Sequence, residues 1–88
     1  MALYTAAAYF HIDGEEPPRL TGSGVQLTHA AAATILAGRI ITDAQGVAVG
    51  PVAASITEDT PEGSVVLFSA EGTPDDVLAA LGKHRTQL

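Results

Sequence analysis

The chain has 88 residues, of which 47% are hydrophobic, and its aromatic residues are two tyrosines and two phenylalanines. A chain of this length has room for one domain, residues 1–88, and for no second core. Ten acidic against four basic residues give a net charge of −6, which disfavours binding to nucleic acid or to anionic lipid. The absence of cysteine excludes disulfides and thiolate metal sites.

The first predicted element is a strand at Leu3–Ile12. Every second residue from Tyr4 to Ile12 is apolar, whereas the opposite face, from Leu3 to His11, is mixed. Alanine is a poor strand former, so a helix is the competing interpretation, but the aromatic neighbours favour a strand. Because the segment lacks a basic start and its apolar run is too short to span a bilayer, we expect neither a signal peptide nor a membrane anchor.

A loop is predicted at Glu15–Gly24, which contains two prolines and the Gly22-Ser23-Gly24 triplet, and a short strand at Val25–Leu27 follows it. The clearest helix signal comes next. Thr28 occupies an N-cap position, alanine fills positions 30–33, and Gly38 stands where a helix would end.

The second half of the sequence predicts a hairpin, two more strands and a final helix. Pro51 follows the hairpin and predicts a bend or a sheet edge, because proline has no amide donor. Thr73 and Pro74 mark the start of the last helix, and Gly82 its end. The predicted segments are the hairpin strands Arg39–Thr42 and Val47–Gly50, a strand at Val52–Ile56, an acidic turn at Thr57–Gly63 and a central strand at Ser64–Ala70.

These elements predict an α+β domain in the order β-α-β-β-β-β-α. A small, mostly antiparallel sheet of about five strands would pack against two short helices. A domain this small with few large side chains buries limited apolar area, and such scaffolds often depend on oligomerisation. We therefore expect a homo-oligomer or a protein that docks on a larger assembly.

Residues capable of catalysis or metal binding form no recognisable pattern. His11, His29 and His84 lack the local spacings of zinc sites, and the serines lack the G-x-S-x-G context of a nucleophile. The sequence therefore predicts no catalytic, cofactor-binding or metal-binding residue.

The alanine-rich helix admits two interpretations. Small side chains allow close packing on the chain's own sheet, and they also allow close approach of another protein chain. Aromatic side chains contribute most to interface energetics. The predicted interface residues are Tyr4, Tyr9, Phe10, Ala30, Ala33 and Ala37.

The segment Gly24–Gly38 resembles a module of small tailed-bacteriophage proteins: a glycine turn, a short strand ending in leucine, a Ser/Thr cap, an alanine-containing helix with Ile-Leu, and glycine. Gly46–Ala53 and Val65–Phe68 are similar to the β segments of head decoration proteins. Those proteins coat capsids, often as trimers. The resemblance implies a minor virion protein, found in the virion or the host cytoplasm, and carries over no binding residues.

The first expectation is thus a non-enzymatic structural or assembly protein that acts through oligomeric contacts. The alternative is a cytoplasmic adaptor or inhibitor that binds a protein or peptide at an open sheet edge near Pro51. A third possibility is a small enzyme with a pocket around His11.

Overall fold

The computed structural model describes residues 2–88, which form two successive β-β-α units. The sheet order is β2-β1-β3-β4, and every neighbouring pair is antiparallel. The predicted α+β class is confirmed, but the sheet has four strands instead of about five, and the predicted element order is wrong. The elements are β1 (Leu3–Ile12), β2 (Arg19–Gln26), α1 (His29–Asp43), β3 (Ala48–Thr60), β4 (Gly63–Gly72) and α2 (Pro74–Arg85).

Strand β1 has the predicted bounds and lies between β2 and β3. Its continuous apolar face points toward the helices, where Ala6, Ala8 and Phe10 are buried. The small alanine side chains let both helices approach the sheet closely. Packing therefore favours alanine in β1, although alanine is a poor strand former.

The glycine-rich stretch predicted as a loop belongs mostly to β2. The register with β1 shifts at Ser23, which forms a β-bulge. The Ser23 hydroxyl accepts a hydrogen bond of 3.0 Å from the Ala6 backbone amide, so a side chain supplies the acceptor at the bulge. Gly22 lies against the β1 backbone, where a Cβ atom would be 2.5 Å from the Ala6 carbonyl oxygen. The glycines therefore permit a bulged strand.

Replacing Gly22 by alanine is expected to lower the free energy of unfolding by about 2 kcal/mol, because the backbone of β1 must move to accept the new methyl group. Gly38→Ala is the matched control. Gly38 is exposed within α1 and has no atom within 4 Å of an added Cβ, so alanine there should stabilise by about 0.5–1 kcal/mol. Urea denaturation measures both; equal effects of the two substitutions would contradict the close contact at Gly22.

Helix α1 continues past Gly38 to Asp43, so the predicted hairpin at residues 39–50 is wrong. The residues predicted as the first strand of that hairpin, Arg39–Thr42, form the last turn of α1. Ile40 lies one turn beyond Leu36, and both side chains are fully buried. Burial of a large aliphatic side chain is worth about 1.5–3 kcal/mol, which exceeds the cost of about 1 kcal/mol for glycine inside a helix.

Strand β3 is one long strand that replaces two predicted short ones. Pro51 lies within it, where residues 50–52 face the single β1 residue Phe10 in a bulge. The bulge is a local bend that accommodates a residue without an amide donor within β3, and the pairing of β3 with β4 begins only at Val52. The predicted acidic turn shrinks to Pro61 and Glu62.

The segment Ser64–Ala70 forms β4, but as an edge strand and not a central one. Helix α2 begins as predicted, with a capping box between Thr73 and Asp76, and continues past Gly82 to Arg85. Both helices pack on one face of the sheet. The largest fully buried side chains are Phe10, Leu36, Ile40, Val52, Ile56, Val77 and Leu81.

Candidate functional site

The sheet face opposite the helices is covered by no other element within residues 2–88, and we call it the open face. Antiparallel partners lie on the same side of a sheet, so the strand register gives the arrangement of its residues directly. Across the strand order β2-β1-β3-β4, three rows run Val25, Thr5, Thr57, Val66, then Gly22, Ala7, Ser55, Ser69, then Leu20, Tyr9, Ala53, Glu71.

The open face has a trough between two taller rows. The middle row contains only glycine, alanine and serine, whereas the rows on either side contain valine, leucine and tyrosine. Two shallow depressions lie on this face: one of about 310 Å³ above Gly22 and Ala7, and one of about 280 Å³ beside Tyr9 and Ser55. The small side chains of the middle row leave the sheet backbone accessible from this side.

The open face is apolar for an exposed surface. Tyr9, Leu20, Val25 and Val66 are 51%, 61%, 64% and 62% exposed, respectively. Of the twelve residues in the three rows, only Glu71 carries a charge, and the next row of the same face, formed by Leu3, Asp59 and Ser64, adds one more carboxylate. Exposed large apolar side chains on a surface with few charges are typical of an interaction surface.

The six predicted interface residues do not form one surface. Phe10 and Ala33 are buried in the core and offer no contact to another chain. Tyr9 lies on the open face, next to Leu20 of β2. The remaining three lie on the helix side of the sheet, where Ala30 is exposed and Tyr4 and Ala37 are partly buried.

Two histidines far apart in sequence meet on the helix side. His29 begins α1 and His84 lies near the end of α2, and their Nε2 atoms are 3.0 Å apart. We call these residues the His pair. The antiparallel placement of the two helices brings them together. Local spacing carried no signal for this contact, because 55 positions separate the two residues.

Aromatic rings hold the His pair from both sides. The Tyr4 ring stacks on His29 with centroids 5.8 Å apart, and the Phe68 ring lies 5.0 Å from His84. The Tyr4 hydroxyl donates a 2.9 Å hydrogen bond to Glu58 Oε2, and this bond is the main reason why the pKa of Tyr4 is raised. Each imidazole therefore has a defined orientation.

Partial burial, followed by the nearby His84, lowers the pKa of His29, while the Glu58 carboxylate opposes this shift. Protonation of His29 therefore favours the unfolded chain. The contribution of neutral His29 to the free energy of unfolding is complete above the ordinary pKa of 6.5. It is lost as the pH falls from there through the lower pKa of the folded state.

We expect the protein to be less stable at about pH 5 than at about pH 7.5, and His29→Gln to reduce that difference. Urea denaturation at both pH values, with EDTA present, measures the effect. His11→Gln is the control, because His11 is exposed and distant from the His pair. An unchanged pH difference in His29→Gln would contradict the assignment.

His11 lies near the end of β1, beside a depression of about 270 Å³ that Tyr9, Pro51 and Glu71 help to line. No serine, threonine or cysteine is among the described residues that line this depression, so the geometry adds no hydroxyl or thiol nucleophile beside His11 to the hypothesis of a His11 enzyme. The alternative, a protein or peptide bound at a sheet edge near Pro51, stays a prediction: Pro51 lies in β3, whose pairing with β4 begins only at Val52.

Comparison with known proteins gives no family assignment: no protein-family model matches the chain, and no curated protein or solved structure is significantly similar to it. Within residues 2–88, neither helix combines the length and the apolar character needed to cross a bilayer.

Proposed function

We propose that this chain is a non-enzymatic assembly protein whose open face binds the open face of a second copy. The observation that carries the proposal is the uncovered sheet face itself, which combines exposed apolar side chains, a trough of small residues and, in its three central rows, a single charge. Two antiparallel sheets that pack face to face about 10 Å apart form the ordinary β-sandwich arrangement.

The shape of the open face is suited to contact with the same face of a second copy. In a two-fold symmetric dimer each copy uses the same surface, so a ridge on one copy must meet a trough on the other. The ridge formed by Leu20 and Tyr9 stands beside the trough formed by Gly22, Ala7 and Ser55. A two-fold axis near the centre of the face lets the ridge of each copy enter the trough of the other copy.

The size of the face sets the expected affinity. Strands about 4.8 Å apart and rows about 6.7 Å apart give the three rows a footprint of roughly 400 Å². A standard stable interface buries about 800 Å² per partner. Because the footprint is about half of that area, we expect weak association, with a Kd of roughly 0.1–1 mM, and repulsion between two copies of charge −6 should weaken it further at low ionic strength.

Weak contacts of this kind are effective when many copies occupy a larger lattice, because multivalency raises the apparent affinity. We extend the proposal to such a setting, a bacteriophage capsid that the protein decorates, on the basis of the resemblance of Gly24–Gly38 and the later β segments to head decoration proteins. In that setting the acidic residues outside the open face keep the outer surface hydrated.

Sedimentation equilibrium over a range of about 10–1,000 µM tests the proposal. The mass should rise from 8.9 kDa toward a multiple of it as the concentration increases, and the association should strengthen with added salt. A constant mass of 8.9 kDa at every concentration and salt level would exclude self-association.

A further inference from the structure

We propose that the His pair binds a divalent transition-metal ion of the Zn²⁺ class, with both Nε2 atoms as ligands. This proposal is independent of the open face, which lies on the other side of the sheet. It assigns a role to two residues that the assembly function does not use.

The distance between the two nitrogens is close to what a metal requires. Zn²⁺ binds imidazole nitrogen at about 2.0–2.1 Å, so two tetrahedral ligands lie about 3.3 Å apart. The Nε2 atoms of His29 and His84 are already 3.0 Å apart. An increase of this distance by a few tenths of an ångström would admit the ion between the two nitrogens.

The surroundings restrain both ligands before a metal arrives. Tyr4 stacks on one ring, with an angle of 5° between the ring planes, and Phe68 contacts the other ring. Side chains already held in position lose less conformational freedom on binding, so less of the interaction energy is spent on ordering them. The neighbouring Glu58 carboxylate adds negative charge on the His29 side, which favours a cation there.

The ligand set also indicates which metals would bind. Imidazole suits Zn²⁺, Ni²⁺ and Cu²⁺, whereas Mg²⁺ and Ca²⁺ prefer oxygen ligands. No cluster of three or more metal-ligating side chains occurs among the described residues, so water or another molecule would fill the remaining coordination positions. We therefore expect weaker binding than at a structural zinc site with four protein ligands.

The test is calorimetric titration of ZnCl2 into the EDTA-treated full chain at about pH 7.5, combined with thermal denaturation. Zn²⁺ should raise the Tm, because an ion bound to α1 and α2 together binds the folded chain only. His29→Ala and His84→Ala should each weaken Zn²⁺ binding by roughly tenfold or more. His11→Ala, the matched control on the remaining histidine, should bind as the natural chain does, and MgCl2 should have no effect.

If either alanine variant fails to fold, NMR of the natural chain decides the question. Titration with ZnCl2 should shift the ring resonances of His29 and His84 and leave those of His11 unchanged. Val66→Lys, a substitution on the open face, should retain Zn²⁺ binding, which separates this proposal from self-association. Absence of a Zn²⁺ response, loss of the response in His11→Ala, or an equal response to Mg²⁺ would overturn the proposal.

Discussion

Phe10→Ala is expected to lower the free energy of unfolding by about 3–5 kcal/mol, whereas Tyr9→Ala should change it by less than about 1 kcal/mol. The two aromatic residues are adjacent in β1 but point to opposite faces of the sheet. Phe10 is 1% exposed among the core residues, and Tyr9 is half exposed on the open face. Urea denaturation followed by circular dichroism measures the difference.

The expected loss at Phe10 is large for this chain. At about 0.05–0.15 kcal/mol per residue, a protein of 88 residues has a total stability of roughly 4–13 kcal/mol. A cavity of phenylalanine size in the core therefore removes a large share of the total. Tyr9→Ala should leave a folded chain with weakened self-association. A Phe10→Ala variant as stable as the natural chain would contradict the assignment of Phe10 to the core.

Val66→Lys is expected to weaken self-association at least tenfold, whereas Val65→Lys should leave it nearly unchanged. Val66 pairs with Thr57 on the open face, and Val65 pairs with Glu58 on the helix side. Both valines are more than half exposed in the single chain, so neither substitution fills or empties the core. Only Val66→Lys introduces an ammonium group into the proposed contact, once from each copy, where it must lose water.

The comparison of the two lysine variants uses sedimentation equilibrium at matched concentrations, with urea denaturation to confirm that both chains fold. The added charge is the same in both variants and reduces the net charge of −6 equally, so long-range repulsion cannot explain a difference between them. Equal association of Val65→Lys and Val66→Lys would place the contact elsewhere on the molecule.

The features predicted correctly from the sequence are those with strong local signals. Strand β1 follows from the alternation between Tyr4 and Ile12, and the start of α2 follows from Thr73 and Pro74. The N-cap of α1, Thr28, also follows from the sequence, because the cap chemistry depends on neighbouring residues only.

The errors arise where tertiary contacts outweigh local preference. Gly38 is a helix-ending residue by local criteria, but burial of Ile40 extends the helix beyond it. Gly22 and Gly24 have the composition of a flexible loop, but pairing with β1 makes their segment a bulged strand. In both cases the deciding partner is distant in sequence.

The candidate sites depend even more on topology. The open face combines residues from all four strands, so its rows of small and large side chains become visible only when the register is known. The His pair requires the antiparallel placement of α1 and α2. Of the predicted interface residues, Tyr9 alone lies on the open face, because Tyr4 and Phe10 belong to the other face of the same strand.

The most direct test of the open face as an interface is disulfide trapping, which the absence of cysteine in the natural chain makes simple. Ser55 lies in the central row of the open face, close to the proposed two-fold axis, and Ala30 is exposed on α1. Under mild oxidation Ser55→Cys should form a covalent dimer much faster than Ala30→Cys, at a rate that Val66→Lys reduces. Rapid dimer formation by Ala30→Cys with no cross-linking of Ser55→Cys would show that the copies meet through the helices and would contradict the account.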